Sequence, residues 1–462
     1  MRRGLLFFWF TFFALIVQSV FLLDSGEEFM FIPLVLVLGL GTLYFFNREG
    51  DRTDVDFQIE IFFIAFSLRL WMGFILYGYG LTEGLGDEDA SGYVGGWVLA
   101  QNWYNNGFDG FFSDFYNTLL GKQNNGQMMI WGLMMFVLGG PSRMVVSATN
   151  SFAGAMLVIV IYRLAKSLFN IQTAKVTAYL TAFWASLILF SAGTSKEILV
   201  IFLAWLLLYI AVRSAKGLSR QDAIVALPLL LILYSIRFYA FYISGAALFI
   251  RAIASNRKNM VRNIAAGFFL VASLLFFLNY SGALDRDKEV YDRQNKIMVD
   301  WRKGVANQTG SGIDLYTDEE GGEVGVLGIP KLVAYFFLSP FPWEIGDGSV
   351  RRQIVILENL ALMLLLFAGF TSLKRFFRDN FFNLLPILTF CSLYSGLQIY
   401  ALANIGLAWR HRQMVMPLFF MMAAFALLRT GRGETALSER NQPEITQLNL
   451  SAGVNYLRKT PE

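Results

Sequence analysis

The chain has 462 residues, 56% of them hydrophobic, 16% aromatic and only 16% charged. Soluble domains carry roughly 25% charged residues, so there is too little polar surface here to enclose a water-soluble body. A soluble enzyme, a nucleic-acid-binding module and a disordered scaffold are excluded, and the formal charge of +4 discriminates little because it sits in loops.

Apolar runs close to the ~20 residues that cross a ~30 Å hydrocarbon core recur along the whole chain. They predict an all-α polytopic membrane protein with spans at 4–23, 29–46, 58–80, 144–163, 176–194, 198–213, 223–236, 238–254, 264–281, 354–373, 381–402 and 414–429, about 12 transmembrane helices in all. The apolar piece 127–139 is too short to cross and reads as re-entrant. The opening Met1-Arg2-Arg3-Gly4 and its apolar run look like a signal peptide, but no small-residue cleavage site follows, so a retained first helix is expected. Residues 1–430 form the transmembrane domain and 431–462 a polar cytoplasmic tail.

Orientation follows the Lys/Arg bias of short loops. With Arg2 and Arg3 inside and 127–139 not crossing, the cytoplasmic loops hold Arg48 and Arg52; Arg163, Lys166 and Lys175; Arg213, Lys216 and Arg220; Arg257, Lys258 and Arg262; Lys374, Arg375 and Arg378; and Arg429 and Arg432. The loop 81–126 then lies outside, rich in Asp and Glu against the single Lys122. A full crossing by 127–139 would put the next basic loops outside, so the re-entrant reading is preferred.

This topology gathers the unusual residues on one face: Asp87-Glu88-Asp89, Lys196-Glu197, Arg237, the polar segment 282–352 and Arg410-His411-Arg412. Carboxylates at the mouth of a helix bundle suit general-base work, because partial desolvation raises a carboxyl pKa toward working pH. The alternative is a solvated acidic loop. Tyr93, Trp97, Trp103 and Tyr104 fit an amphipathic helix at the membrane interface. Arg237 has no polar neighbourhood in sequence and should snorkel or face a wet cavity. Arg410 and Arg412 offer forked donors for phosphate oxygens; as alternatives, they are interfacial anchors, and Lys196-Glu197 is a helix-start ion pair. Trp343, in Ser-Pro-Phe-Pro-Trp-Glu, stands at interface depth, and 282–352 reads as a lid, an acceptor-binding loop or a connector. The single cysteine, Cys391, excludes a disulfide framework, and the single histidine, His411, excludes a multi-histidine centre. The acidic residues are able to ligate a divalent metal as hard oxygen donors, though no spacing requires one.

An Asp four residues before a Tyr in the first large external loop resembles the GT-C superfamily of membrane glycosyltransferases, which includes the dolichyl-phosphate-mannose protein mannosyltransferases. Other parts agree in order: Leu-Gly-Gly-Pro-Ser-Arg at 138–143, Asn150, Gly154, Ile-Tyr-Arg-Leu-Ala-Lys-Ser-Leu-Phe at 161–169, Phe-Ser-Ala-Gly-Thr-Ser-Lys-Glu at 190–197, and Arg410-His411-Arg412 before Met-Pro-Leu. The family pattern has a second acid after the loop Asp; here Ala90 follows Asp89, and Asp87 and Glu88 precede it. The resemblance implies transfer of a sugar from a polyprenyl-phosphate donor to a glycan, lipid or protein acceptor, on the extracytoplasmic face of a bacterial inner membrane. Asp89 would be the base, with Asp87 second, and Tyr93 would lie on the acceptor or interface side. Lys196, Glu197, Arg237, Arg410, His411 and Arg412 would form the donor-phosphate site. A lipid-linked polysaccharide polymerase or ligase, worked by external arginines, is the alternative. A transporter or flippase ranks third, because no internal repeat is visible.

Cysteine labelling should place 81–126, 282–352 and 405–413 outside, and 214–222 and 255–263 inside. Labelling of 81–126 from the cytoplasm would remove the proposed site.

Overall fold

A computed structural model describes residues 2–22, 26–46, 52–82, 90–118, 125–213, 220–254, 261, 265, 329–344, 350–402 and 405–440. The regular structure among them is helical, without strands. The helices are α1 (Arg2–Leu22), α2 (Phe31–Phe46), α3 (Arg52–Gly78), α4 (Ala90–Tyr116), α5 (Gly126–Leu138), α6 (Arg143–Leu168), α7 (Ile171–Phe183), α8 (Ala185–Ala192), α9 (Glu197–Arg213), α10 (Arg220–Ile236), α11 (Phe238–Ala254), α12 (Ile329–Leu338), α13 (Val350–Thr371), α14 (Leu373–Tyr400), α15 (Ile405–Arg412) and α16 (Met416–Arg440). Six helices are long and apolar enough to cross a membrane, or up to eight if each of two bent pairs is one span. The expected spans coincide with helices, except that 176–194 is divided between α7 and α8 and 264–281 lies almost wholly outside the described residues; those at 198–213, 223–236 and 238–254 fall on helices of 17 residues.

The hub is α6, whose apolar residues are buried on every side. It packs on α2, α3, α5, α7, α8 and α9. A helix apolar all round belongs in a core, and its small residues, among them Ala148, Ser151, Gly154 and Ala155, let neighbouring backbones approach closely. Its N-terminus is capped twice: Ser142 Oγ accepts from Val145 N at 3.1 Å, and the Glu28 carboxylate accepts from Ser142 Oγ at 2.8 Å and Met144 N at 3.1 Å.

One end of the bundle is tied by ion pairs. Lys166 reaches Asp54 at 3.0 Å, and Arg213 reaches Asp222 at 2.5 Å, closing the turn from α9 to α10. A helix of 17 residues such as α9 is about 25 Å long at 1.5 Å per residue. Glu197, at its other end, therefore lies at the opposite end of the bundle.

The segment expected as an external loop is largely helical. In α4 the chain reverses at Gly107, whose φ of 58° is in the left-handed region open to glycine. Asp114 on the returning arm accepts from Asn102 Nδ2 at 2.7 Å and Trp103 Nε1 at 3.0 Å, closing a helical hairpin. The 13-residue α5 is about 20 Å long, short of the hydrocarbon thickness, which fits the re-entrant reading of 127–139.

Two apolar helix pairs are sharply bent. Helices α7 and α8 meet at Trp184 with a 55° bend, and α15 and α16 meet with a 61° bend. A break inside hydrocarbon leaves backbone groups that water cannot reach. At the first break Arg69 Nη1 donates to Ala182 O at 3.2 Å and Nη2 to Thr181 O at 3.4 Å, serving the end of α7. On the other side Glu358 accepts from Ser186 N at 2.8 Å, capping the start of α8. At the second break Trp205 Nε1 donates to Met414 O at 2.8 Å. The two breaks touch, because Trp409 of α15 donates through Nε1 to Ser186 Oγ at 2.5 Å and packs its ring on Phe190.

Arg69→Met should strand the Thr181 and Ala182 carbonyls and cost about 1.5–3 kcal/mol, the worth of hydrogen bonds from a charged donor. Thermal unfolding of detergent-purified protein, followed by size-exclusion chromatography, should show a lowered midpoint. A wild-type midpoint would refute the capping role.

Candidate functional site

Three chain turns converge at the end of the bundle opposite Arg213 and Asp222. The first is 193–196, between α8 and α9. Asn150 Nδ2 holds it by donating to Gly193 O at 2.8 Å and Ser195 O at 3.0 Å. Ser147 Oγ donates to Ala192 O at 2.6 Å, and Thr194 N donates to the Tyr77 hydroxyl at 2.9 Å. This turn delivers Lys196 and Glu197. The second is the one-residue break at Arg237 between α10 and α11, where Arg237 N still donates to Leu233 O at 2.8 Å. The third is the last turn of α15, which carries Arg410, His411 and Arg412.

Glu197 and Arg237 form an ion pair through Oε1 and Nη2, with side chains only 5% and 15% exposed. The other guanidinium arm, Nη1, donates to the Tyr239 hydroxyl at 3.0 Å. The Tyr239 ring lies 6.2 Å from that of Tyr394, and the Tyr394 hydroxyl is 3.2 Å from His411 Nδ1. Three expected site residues, Glu197, Arg237 and His411, are thus joined through Tyr239 and Tyr394 in one network although they come from three distant stretches of chain, and Lys196 and Arg410, both half-buried, are the sequence neighbours of Glu197 and His411. Cations around a partly desolvated recess can hold phosphate oxygens and stabilise charge that builds on a leaving group.

The remaining candidates are placed differently. Arg412 faces the protein interior, its Nη1 donating to Phe337 O at 3.1 Å and Ser339 O at 2.8 Å and its Nη2 to Asn359 Oδ1. Tyr93 lies under the Arg143 guanidinium at the start of α6, 5.6 Å from ring centroid to Cζ. Trp343 is exposed and stacks on Phe341 at 4.6 Å. Asp87 and Asp89 lie outside the described residues. Ala90, which follows Asp89, opens α4, and Gly95 on α4 packs against Met128. Gly126 at the start of α5 packs against Ser235, two residues before Arg237. Among the described residues no three His, Cys, Asp or Glu side chains gather as a metal site would require. Cys391 is buried and free.

Sequence reasoning missed Tyr239, Tyr394, Glu358 and Asn359. The two tyrosines carried no signal beyond aromatic richness. Glu358 did carry one, as did Arg69, because each is an ionisable residue within a predicted span. Comparison with models of known protein families and with curated proteins found no match.

Removing one partner of a buried ion pair leaves an uncompensated charge, at a cost of about 3–5 kcal/mol. Glu197→Ala and Arg237→Ala should each lower thermal stability by that order, and the double variant by less than the sum of the two. Additive losses would mean that the pair is not coupled.

Proposed function

We propose that the protein is an integral-membrane glycosyltransferase of GT-C type, with about 12 spans and an active site on the extracytoplasmic face of a bacterial inner membrane. It would transfer a sugar from a polyprenyl-phosphate donor to a glycan, lipid or protein acceptor. The observation that carries this reading is the buried Glu197–Arg237 ion pair, linked through Tyr239 and Tyr394 to His411 at one end of the helix bundle, with Lys196 and Arg410 next to Glu197 and His411 in sequence. Positive residues outnumber carboxylates in this group among the described residues, which suits an anionic phosphate carrier. A donor already attached to lipid also explains why a helical membrane protein would need no nucleotide-binding fold.

In this reading the acceptor oxygen bonds to the anomeric carbon while the bond from that carbon to the phosphate oxygen breaks. Asp89, or Asp87 in its place, takes the acceptor proton. Arg237, Arg410 and Lys196 hold the departing polyprenyl phosphate and stabilise its charge. The packing of α4, which follows Asp89 in sequence, on α5, and of α5 on the residues before Arg237, supports this reading. The alternative, a lipid-linked polysaccharide polymerase or ligase, is favoured by one feature: among the described residues the network is built around Arg237, Glu197 and His411.

Purified Asp89→Asn, Asp87→Asn, Arg237→Lys and Arg410→Gln proteins separate the two. A general base is worth ~10²–10⁴-fold in rate. Asp89→Asn should therefore lower transfer by at least ~10²-fold while donor affinity is retained. Arg237→Lys and Arg410→Gln should weaken binding of polyprenyl phosphate, because a lysine or an amide cannot reproduce the charged fork. Full activity in both aspartate variants, with loss in Arg237→Lys, would replace the glycosyltransferase reading by the polymerase or ligase.

A further inference from the structure

Arg412 and Asn359 together occupy four consecutive backbone carbonyls. Arg412 takes those of Phe337 and Ser339, and Asn359 Nδ2 donates to Leu338 O at 3.1 Å and Pro340 O at 2.6 Å. The two side chains also bind each other, Arg412 Nη2 to Asn359 Oδ1. These carbonyls lie where α12 ends and the chain turns toward Pro342–Glu344, so they accept little from a helix ladder and need other donors in a dry setting. A planar fork serves several acceptors at once, which an ammonium group in one position does not.

The neighbouring residue on α13 grips the other side of the same helix end. Glu358 accepts from Ser186 Oγ at 2.5 Å, and Trp409 Nε1 donates to that same oxygen. Arg410 and His411 therefore stand between two residues, Trp409 and Arg412, that are both held through α13. Arg412 is 1% exposed, so presenting a donor to a lipid phosphate would require it to abandon this network.

We propose that Arg412 and Asn359 form a latch that fixes the 337–340 turn, at the end of the polar segment 282–352, onto the helix end that carries Arg410 and His411. Arg412 is then a positioning residue and not a ligand of the donor phosphate. The latch itself is independent of the reaction; its consequence for turnover rests on the function proposed above.

The test uses full-length protein in lipid nanodiscs, with Arg412→Lys, Asn359→Ala and the double variant. Hydrogen exchange by mass spectrometry should show amides of 335–344 exchanging about tenfold faster in each single variant, the mark of cheaper local opening. The double variant should go no further than either single one, because both remove the same device. Affinity for polyprenyl phosphate should stay within about twofold of wild type, while the acceptor KM rises. Unchanged exchange in both variants, or additive effects, would overturn the latch. So would an about tenfold loss of polyprenyl-phosphate affinity in Arg412→Lys with none in Asn359→Ala, the pattern of a phosphate ligand. If Arg412→Lys does not fold, Asn359→Ser carries the same exchange and affinity test. Faster exchange in a protein without transferase activity would sustain the latch and sink the function.

Discussion

A helix that breaks inside hydrocarbon must have its opened backbone groups satisfied by protein, because no water is there to do it. The joint at Trp184 meets this demand with two buried ionisable residues from different helices. Arg69 of α3 serves the carbonyl end of α7, and Glu358 of α13 serves the amide end of α8. Each charge sits at the end of the helix dipole that favours it, a cation at a C-terminus and an anion at an N-terminus. The approach of α8 to α6 is correspondingly tight: a Cβ on Gly154 would fall 2.6 Å from Ser191 Cβ and 2.7 Å from Arg69 Nε. The bent pair, the hub helix and the two charges are one packing solution.

The same electrostatics organises the candidate site. Glu197 is the first residue of α9, Arg237 follows the last residue of α10, and Arg410 and Arg412 occupy the last turn of α15. Glu197, Arg410 and Arg412 stand at helix ends of the stabilising polarity, whereas Arg237 lies between the C-terminus of α10 and the N-terminus of α11 and draws its compensation from Glu197. Helix ends are also where unsatisfied backbone dipoles accumulate, so several breaks at one level make a polar floor within an apolar bundle. Charges that would be prohibitive mid-helix are tolerable there. Part of the clustering is therefore folding chemistry.

Much of the architecture was legible because hydrophobic length is a strong signal. Among the described residues the apolar runs fall on helices, six to eight of them long enough to cross, and α5 is as short as 127–139 suggested. The convergence of Lys196-Glu197, Arg237 and Arg410-His411 was legible too, through the rule that intramembrane charge needs a reason. The break at Trp184 was not, since 176–194 reads as an unbroken apolar run and the joint is held by partners more than 100 residues away in sequence. The reversal at Gly107 was hidden by an aromatic-rich stretch whose periodicity continues on both sides of it. Arg412 shows the limit most clearly: three adjacent basic or imidazole residues look equivalent in sequence, but a helical turn sends Arg412 inward to backbone carbonyls while His411 meets Tyr394.

Burial gives the network its chemical character. With side chains only 5% and 15% exposed, the Glu197–Arg237 pair is strengthened by the lower dielectric but has lost hydration, so it must be well hydrogen-bonded to persist. Arg237 meets the condition with one arm on Glu197 and the other on Tyr239. An anion arriving beside it would meet a cation whose position is already fixed from two sides. Preorganisation of this kind lets a fixed cation stabilise negative charge with little rearrangement.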